Sequence, residues 1–80
     1  MKTFPLLVLK ITETVFEGEV ESVTVPGSTG ELTILAKHET MLSSLKQGLL
    51  SIKDKEGVSH ELDITHGFLE ATSDKVIILL

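Results

Sequence analysis

The sequence has no cysteine, tryptophan, tyrosine or arginine. Without cysteine there are no disulfides, no thiol catalysis and no cysteine-ligated zinc, so the fold has to stand on its core alone. Three phenylalanines are the only aromatic side chains. The core is therefore aliphatic, and the stacking platforms that usually hold sugars and single-stranded nucleic acids are missing. Seven lysines against 12 acidic residues give a net charge of −5, the wrong sign for a phosphate backbone, so nucleic acid is set aside as a partner. Long apolar runs are lacking too. The longest, VIILL at residues 76–80, is far below the roughly 20 residues of a membrane-spanning helix. The opening MKTFPLLVLKI is broken by Pro5 and Lys10 and has no small-residue cleavage site, which argues against a signal peptide. Membrane association is expected only through a protein partner.

What the sequence does contain is apolar material, 41 % of 80 residues, enough for one small domain and too much for a disordered chain. Runs rich in Val, Ile, Leu and Thr recur at short intervals between turn signals, with no helical stretch of ten or more residues. Strands are predicted at residues 4–11, 14–16, 19–25, 32–35, 49–53, 58–65, 68–72 and 76–80. The segment 37–46 reads as a loop with a short strand. Between residues 19–25 and 32–35 lies a Pro26-Gly27 breaker and a polar tip, Ser28-Thr29-Gly30-Glu31. Gly57 suits the left-handed position of a hairpin across Asp54, Lys55 and Glu56. Many short strands with glycine-rich turns predict an all-β, two-layer β-sandwich or flattened barrel.

In residues 58–65 the alternation of Val58, His60, Leu62 and Ile64 with Ser59, Glu61, Asp63 and Thr65 predicts one buried and one wet face. The runs 5–9 and 76–80 are instead apolar on both faces, so either an outside partner or covering loops must shield the outer one. The acidic run Glu13, Glu17, Glu19, Glu21 reads as a solvated strand face, or as a field steering a basic partner.

Candidate chemistry is sparse. His38, His60 and His66 each lie near carboxylates, but His60 and Asp63 point to opposite faces of a strand and no HxH or HExxH spacing occurs. Gly27-Ser28-Thr29-Gly30 superficially looks like a phosphate loop, yet it continues into Glu31-Leu32-Thr33-Ile34 and not into a helix N-terminus with its Lys. Ser43-Ser44 lacks a nucleophile-elbow frame. No catalytic, cofactor or metal residues are assigned.

Three segments taken in order, FEGEVESVTVPGSTGELTILAKH at residues 16–38, LKQGLLSI at 45–52 and THGFLEA at 65–71, resemble the epsilon subunit of the F-type rotary ATP synthase. The resemblance is to its amino-terminal β-sandwich domain and spans residues 1–80, with no carboxy-terminal helical domain in the sequence. It implies a ten-stranded sandwich in the central stalk, a rotor part of a proton- or sodium-translocating enzyme. Such a subunit links gamma to the c ring, does no chemistry of its own and needs no cofactor. It would sit peripheral to a coupling membrane, on the cytoplasmic face in a bacterium. On this resemblance Ser28, Thr29, Gly30 and Glu31 face the c ring, while Lys10, His38, Ser43 and Thr65 fall near gamma. The family commonly has Pro-Gly where Ala36-Lys37 stand here, and Pro at Gln47. Outside this family, the alternative is a small stand-alone sandwich holding an apolar ligand between its layers, although 80 residues leave little room for a pocket of about 300 Å³ or more.

Overall fold

The computed structural model describes residues 2–37 and 39–80. Aliphatic and β-branched residues on alternate positions build eight strands: β1 Phe4–Lys10, β2 Glu13–Gly27, β3 Gly30–Leu35, β4 Met41–Leu45, β5 Gly48–Asp54, β6 Ser59–Ile64, β7 Gly67–Ala71 and β8 Val76–Leu79. The expected fold class holds, with eight strands in place of ten. The short strand expected within residues 37–46 is β4. The two strands expected at 14–16 and 19–25 are one 15-residue strand, β2, which also carries Pro26 and Gly27.

β2 organises the molecule because it belongs to both layers. Its first half pairs with β1, from Lys10 opposite Glu13 to Phe4 opposite Val20. Its second half pairs with β3 on one side and β5 on the other. Register slips in the β1 ladder between Val8 and Leu9, and in the β5 ladder between Val20 and Ser22, leave Val15 and Glu21 as extra residues on β2. Such bulges bend and twist a strand, which lets one strand serve two layers. The first layer runs β2–β1–β8–β7–β4, with β1 and β8 parallel and the other neighbours antiparallel. Leu45, at the end of β4, pairs back onto Gly27 at the end of β2 and closes the circuit. β3, β2, β5 and β6 form the second layer.

Between the layers lies one aliphatic core. Leu6, Val8, Leu69, Val76 and Ile78 of the first layer meet Val20, Val23, Val25 and Leu50 from β2 and β5, all essentially inaccessible. At about 25 cal/mol per Å² of apolar surface, each fully buried Leu, Ile or Val side chain contributes on the order of 1.5–3 kcal/mol. No polar or charged residue lies among the buried ones described. Side chains occupy the space that the internal-ligand alternative requires, so that reading loses its support.

The expected alternation in residues 58–65 holds only at its end. Ile64 is buried and Leu62 half-buried, but Val58 is 53 % exposed and His60 is exposed. Val58 lies beyond the β5–β6 ladder, whose last pair is Lys53 and Ser59, so no opposing layer reaches it. The doubly apolar terminal strands behave as expected: Phe4, Leu6, Val8, Val76 and Ile78 face inward, while Pro5, Leu7, Leu9, Ile77 and Leu79 form the outer row. Register sets Leu7 beside Ile77, and Leu9 and Phe68 either side of Leu79, so the outer residues make one apolar strip.

Candidate functional site

Gly27 and Gly30 face each other as the last pair of the β2–β3 ladder, so Ser28 and Thr29 form a two-residue turn. Both are exposed, as is Glu31. Gly30 has φ of 143°, a conformation open to glycine and strained for other residues. The root of the turn is clamped by backbone. The Ser28 N–H donates to the Ser44 carbonyl and the Lys46 N–H to the Pro26 carbonyl, both at 2.9 Å. Packing adds to this, since a Cβ on Gly27 would lie 2.6 Å from the Gly30 oxygen and one on Gly48 would lie 2.7 Å from Pro26 Cβ. The tip therefore takes its shape from main chain and glycines, and its hydroxyls and carboxylate are left to face outward.

Of the residues assigned to gamma, the fold brings two together. Lys10, at the end of β1, and Thr65, just after β6, line a groove of about 440 Å³ with Ile11, Thr12, Asp63, Ile64, His66 and Leu80. Asp63, Ile64 and Thr65 also line a second groove, which reaches Gln47 and Gly48 beside the root of the tip. Ser43 is not part of this cluster. It lies half-buried on β4 opposite buried Leu69, and its hydroxyl donates to the Ser44 carbonyl at 3.2 Å. His38 lies outside the described residues.

The acidic run is divided. Glu13, Glu17 and Glu19 are exposed, with Glu19 accepting from the Thr3 hydroxyl at 2.9 Å, whereas Glu21 is partly covered and pairs with Lys53 at 3.7 Å. Exposed pairs of this kind contribute at most about 1 kcal/mol.

One polar cluster was not anticipated. Asp54 Oδ1 accepts from the Glu56 and Val58 N–H groups, both at 2.9 Å, and His60 Nε2 donates to Oδ2 at 2.8 Å. The hydrogen bond from His60 is the main cause that holds the Asp54 carboxyl below its ordinary value, with the Val58 N–H next. The His60 ring also meets Phe16 edge-on, with centroids 5.3 Å apart. Register is the signal that reveals this cluster, because Ile52 opposite His60 puts Asp54 two residues further along the same face. Lys2 is lowered as well, first by hydrogen bonding to Lys37 and then by burial. Among the described residues, no three histidines, cysteines or carboxylates converge as metal ligands.

The molecule is a small sandwich whose polar tip and end groove face outward from an aliphatic core. Residues 3–80 match the β-sandwich domain of the ATP synthase delta/epsilon chain, and the chain belongs to that family. ATP synthase epsilon chains of two Campylobacter jejuni strains, serotype O:6 and serotype O:23/36, are 44 % and 42 % identical over 66 residues, which is 81 % of this chain and 50 % of each relative. The chain thus spans about half the length of the curated relatives it matches. Its fold is similar to a chain of the Euglena gracilis mitochondrial ATP synthase, solved as OSCP/F1/c-ring, with a TM-score of 0.89, 24 % identity and coverage of 96 % of this chain and 49 % of that one. A chain of the Tetrahymena thermophila mitochondrial ATP synthase central stalk and c-ring gives a TM-score of 0.77, 19 % identity and coverage of 98 % and 63 %.

Proposed function

We propose that this domain is a non-catalytic rotor component of the central stalk of a proton- or sodium-translocating F-type ATP synthase, joining gamma to the c ring so that the two turn together. The observation that carries the reading is the family match over residues 3–80, on a fold whose candidate ring-facing tip is rigid at its root and free at its side chains. In this reading Ser28, Thr29, Gly30 and Glu31 meet the ring, with Glu31 supplying the anion for basic groups on ring loops. Lys10 and Thr65 meet gamma across the end groove; Ser43, which lies apart from that groove on β4, and His38 are assigned to gamma on the family resemblance alone. The domain is peripheral to the coupling membrane, on its cytoplasmic side in a bacterium, and is held there only through the ring. Torque transmission needs stiffness and complementary charge, and no proton or group is transferred at the sandwich.

The test is co-purification with the gamma subunit from the same source, followed by binding of the pair to isolated c ring. A stable ternary assembly is expected. A folded domain that fails to bind gamma would overturn the reading.

A further inference from the structure

We infer that Asp54, His60 and Phe16 form a proton-sensitive clasp that holds the β5–β6 hairpin against the first layer, and that β6 opens as a local unit when the clasp lets go. Among the described residues, β6 has β5 as its one strand neighbour. Ile64, at the end far from the turn, is its one buried residue; Leu62 is half-buried, and Ser59, His60, Glu61 and Asp63 are exposed. A strand with so little buried surface lies at the low end of local stability. Opposite it in the first layer stands the first half of β2, where residues 13–18 pair with β1 on one side and with no described strand on the other. Side chains must therefore hold these two edges together.

They do so thinly. Between the edges lies an apolar slot of about 150 Å³, lined by Val8, Val15, Phe16, Ile52 and Leu62, with exposed His60 and Glu61 at its mouth. The His60 ring spans that mouth. It meets the Phe16 ring edge-on, with centroids 5.3 Å apart and planes at 61°, and its Nε2 donates to Asp54 Oδ2 at 2.8 Å. The other Asp54 oxygen holds the turn through the Glu56 and Val58 N–H groups. One imidazole thus ties the hairpin turn to the opposite layer, and the carboxylate fixes the ring where it reaches Phe16.

Charge makes the clasp responsive. Imidazole changes charge between about pH 5 and 8, and the His60 side chain is 43 % exposed, so solvent protons reach it. Protonation turns its bond to Asp54 into a charge-assisted one, roughly twice as strong as the neutral bond. From β5 the ring faces Asp54, and from β6 its neighbour Glu61 borders the same slot. β2 offers Phe16 and Val15 and β1 offers Val8, none of which titrates. Glu17 lies opposite Leu7 of the outer row, Lys53 pairs with Glu21, and the turn adds Lys55 and Glu56, one of each sign. Asp54, held below the ordinary carboxyl value, stays ionised while histidine titrates. The clasp is therefore tightest in mild acid, loosens as pH rises through the histidine range, and fails again where strong acid protonates Asp54.

Amide hydrogen exchange of the full chain tests this, read as protection factors corrected for the intrinsic pH dependence of exchange. Between about pH 6 and pH 8, protection of the β6 amides is expected to fall by about two- to fivefold, the span that exposed ion pairs reach. Protection in β7 and β8 should stay constant. His60→Gln keeps a donor that does not titrate, so its β6 protection should be flat over the same range. Phe16→Leu keeps the slot covered but loses the ring contact, and should lower β6 protection at every pH while β7 is unchanged. Constant β6 protection in the unchanged chain would overturn the proton sensitivity, as would a fall that persists in His60→Gln. Equal loss of protection in β6 and β7 would overturn local opening, and full β6 protection in Phe16→Leu would remove Phe16 from the clasp.

Discussion

The tip at residues 28–29 and the hairpin at 54–57 are both short connections between antiparallel strands, but they spend their polar groups in opposite ways. At the tip, main-chain bonds to Ser44 and Pro26 and the close packing of Gly27 and Gly48 fix the shape. The side chains of Ser28, Thr29 and Glu31 take no part in that. In the hairpin, Asp54 uses both carboxylate oxygens on its own turn and on His60. A turn stabilised by backbone leaves its side chains for a partner, whereas one stabilised by side chains has committed them. This contrast, more than exposure, separates the end of the sandwich proposed to bind from the end that carries the Asp54 hairpin.

The largest effect on folding is expected from Gly27→Val. Its Cβ would fall 2.6 Å from a carbonyl oxygen that cannot move without opening the β2–β3 ladder, and overpacking of this kind costs about 2–3 kcal/mol. Urea unfolding measures the loss, and a change below about 0.5 kcal/mol would show that the root is not rigid. A smaller effect of opposite sign is expected at a third turn. Lys37 has φ of 65°, a left-handed conformation that glycine adopts freely and lysine adopts at a cost. Lys37→Gly should therefore raise stability by about 1 kcal/mol in the same assay, and a loss would mean that the lysine side chain contributes more than its strain removes.

Asp54→Ala should lower the melting temperature, while binding to gamma or ring stays unchanged. The acid limb carries the signature. The folded Asp54 pKa lies below its unfolded value, so its contribution is complete above the ordinary aspartate value and is lost as pH falls through the depressed one. Asp54→Asn should flatten the stability profile across that acid window, and an unchanged slope would place the linkage on another carboxylate. Smallest of all for folding is Glu31→Lys, with a change below about 0.5 kcal/mol.

Much of the architecture is legible in the residues for physical reasons. The runs 5–9 and 76–80 read as apolar on both faces and are so in the fold, although nothing in them says which row turns inward, and Gly57, at φ of 83°, takes the left-handed position that its hairpin requires. The continuity of β2 is not legible, because Glu17-Gly18 looks like a break while the true irregularities lie at Val15 and Glu21, where bulges depend on pairing to β1 and β5. The Asp54–His60 pair escapes a reading by sequence neighbourhood, which sets His60 beside Glu61 and Asp63 and not across the hairpin. Lys37 is a similar case. Its φ of 65° is the bend that a glycine would take, and nothing in the residue type announces it. The groove at Ile11 needs the lateral closure of β1, β8 and β6 at one end, which no single segment encodes.

The most direct measurement pairs Glu31→Lys with Asp54→Ala, each followed by thermal unfolding and by pull-down on isolated c ring with gamma present. The expected result is a crossed pattern: Glu31→Lys keeps the melting temperature and loses the ring, while Asp54→Ala lowers the melting temperature and keeps the ring. Retention of the ring by folded Glu31→Lys would contradict the assignment of the tip as the surface that meets it.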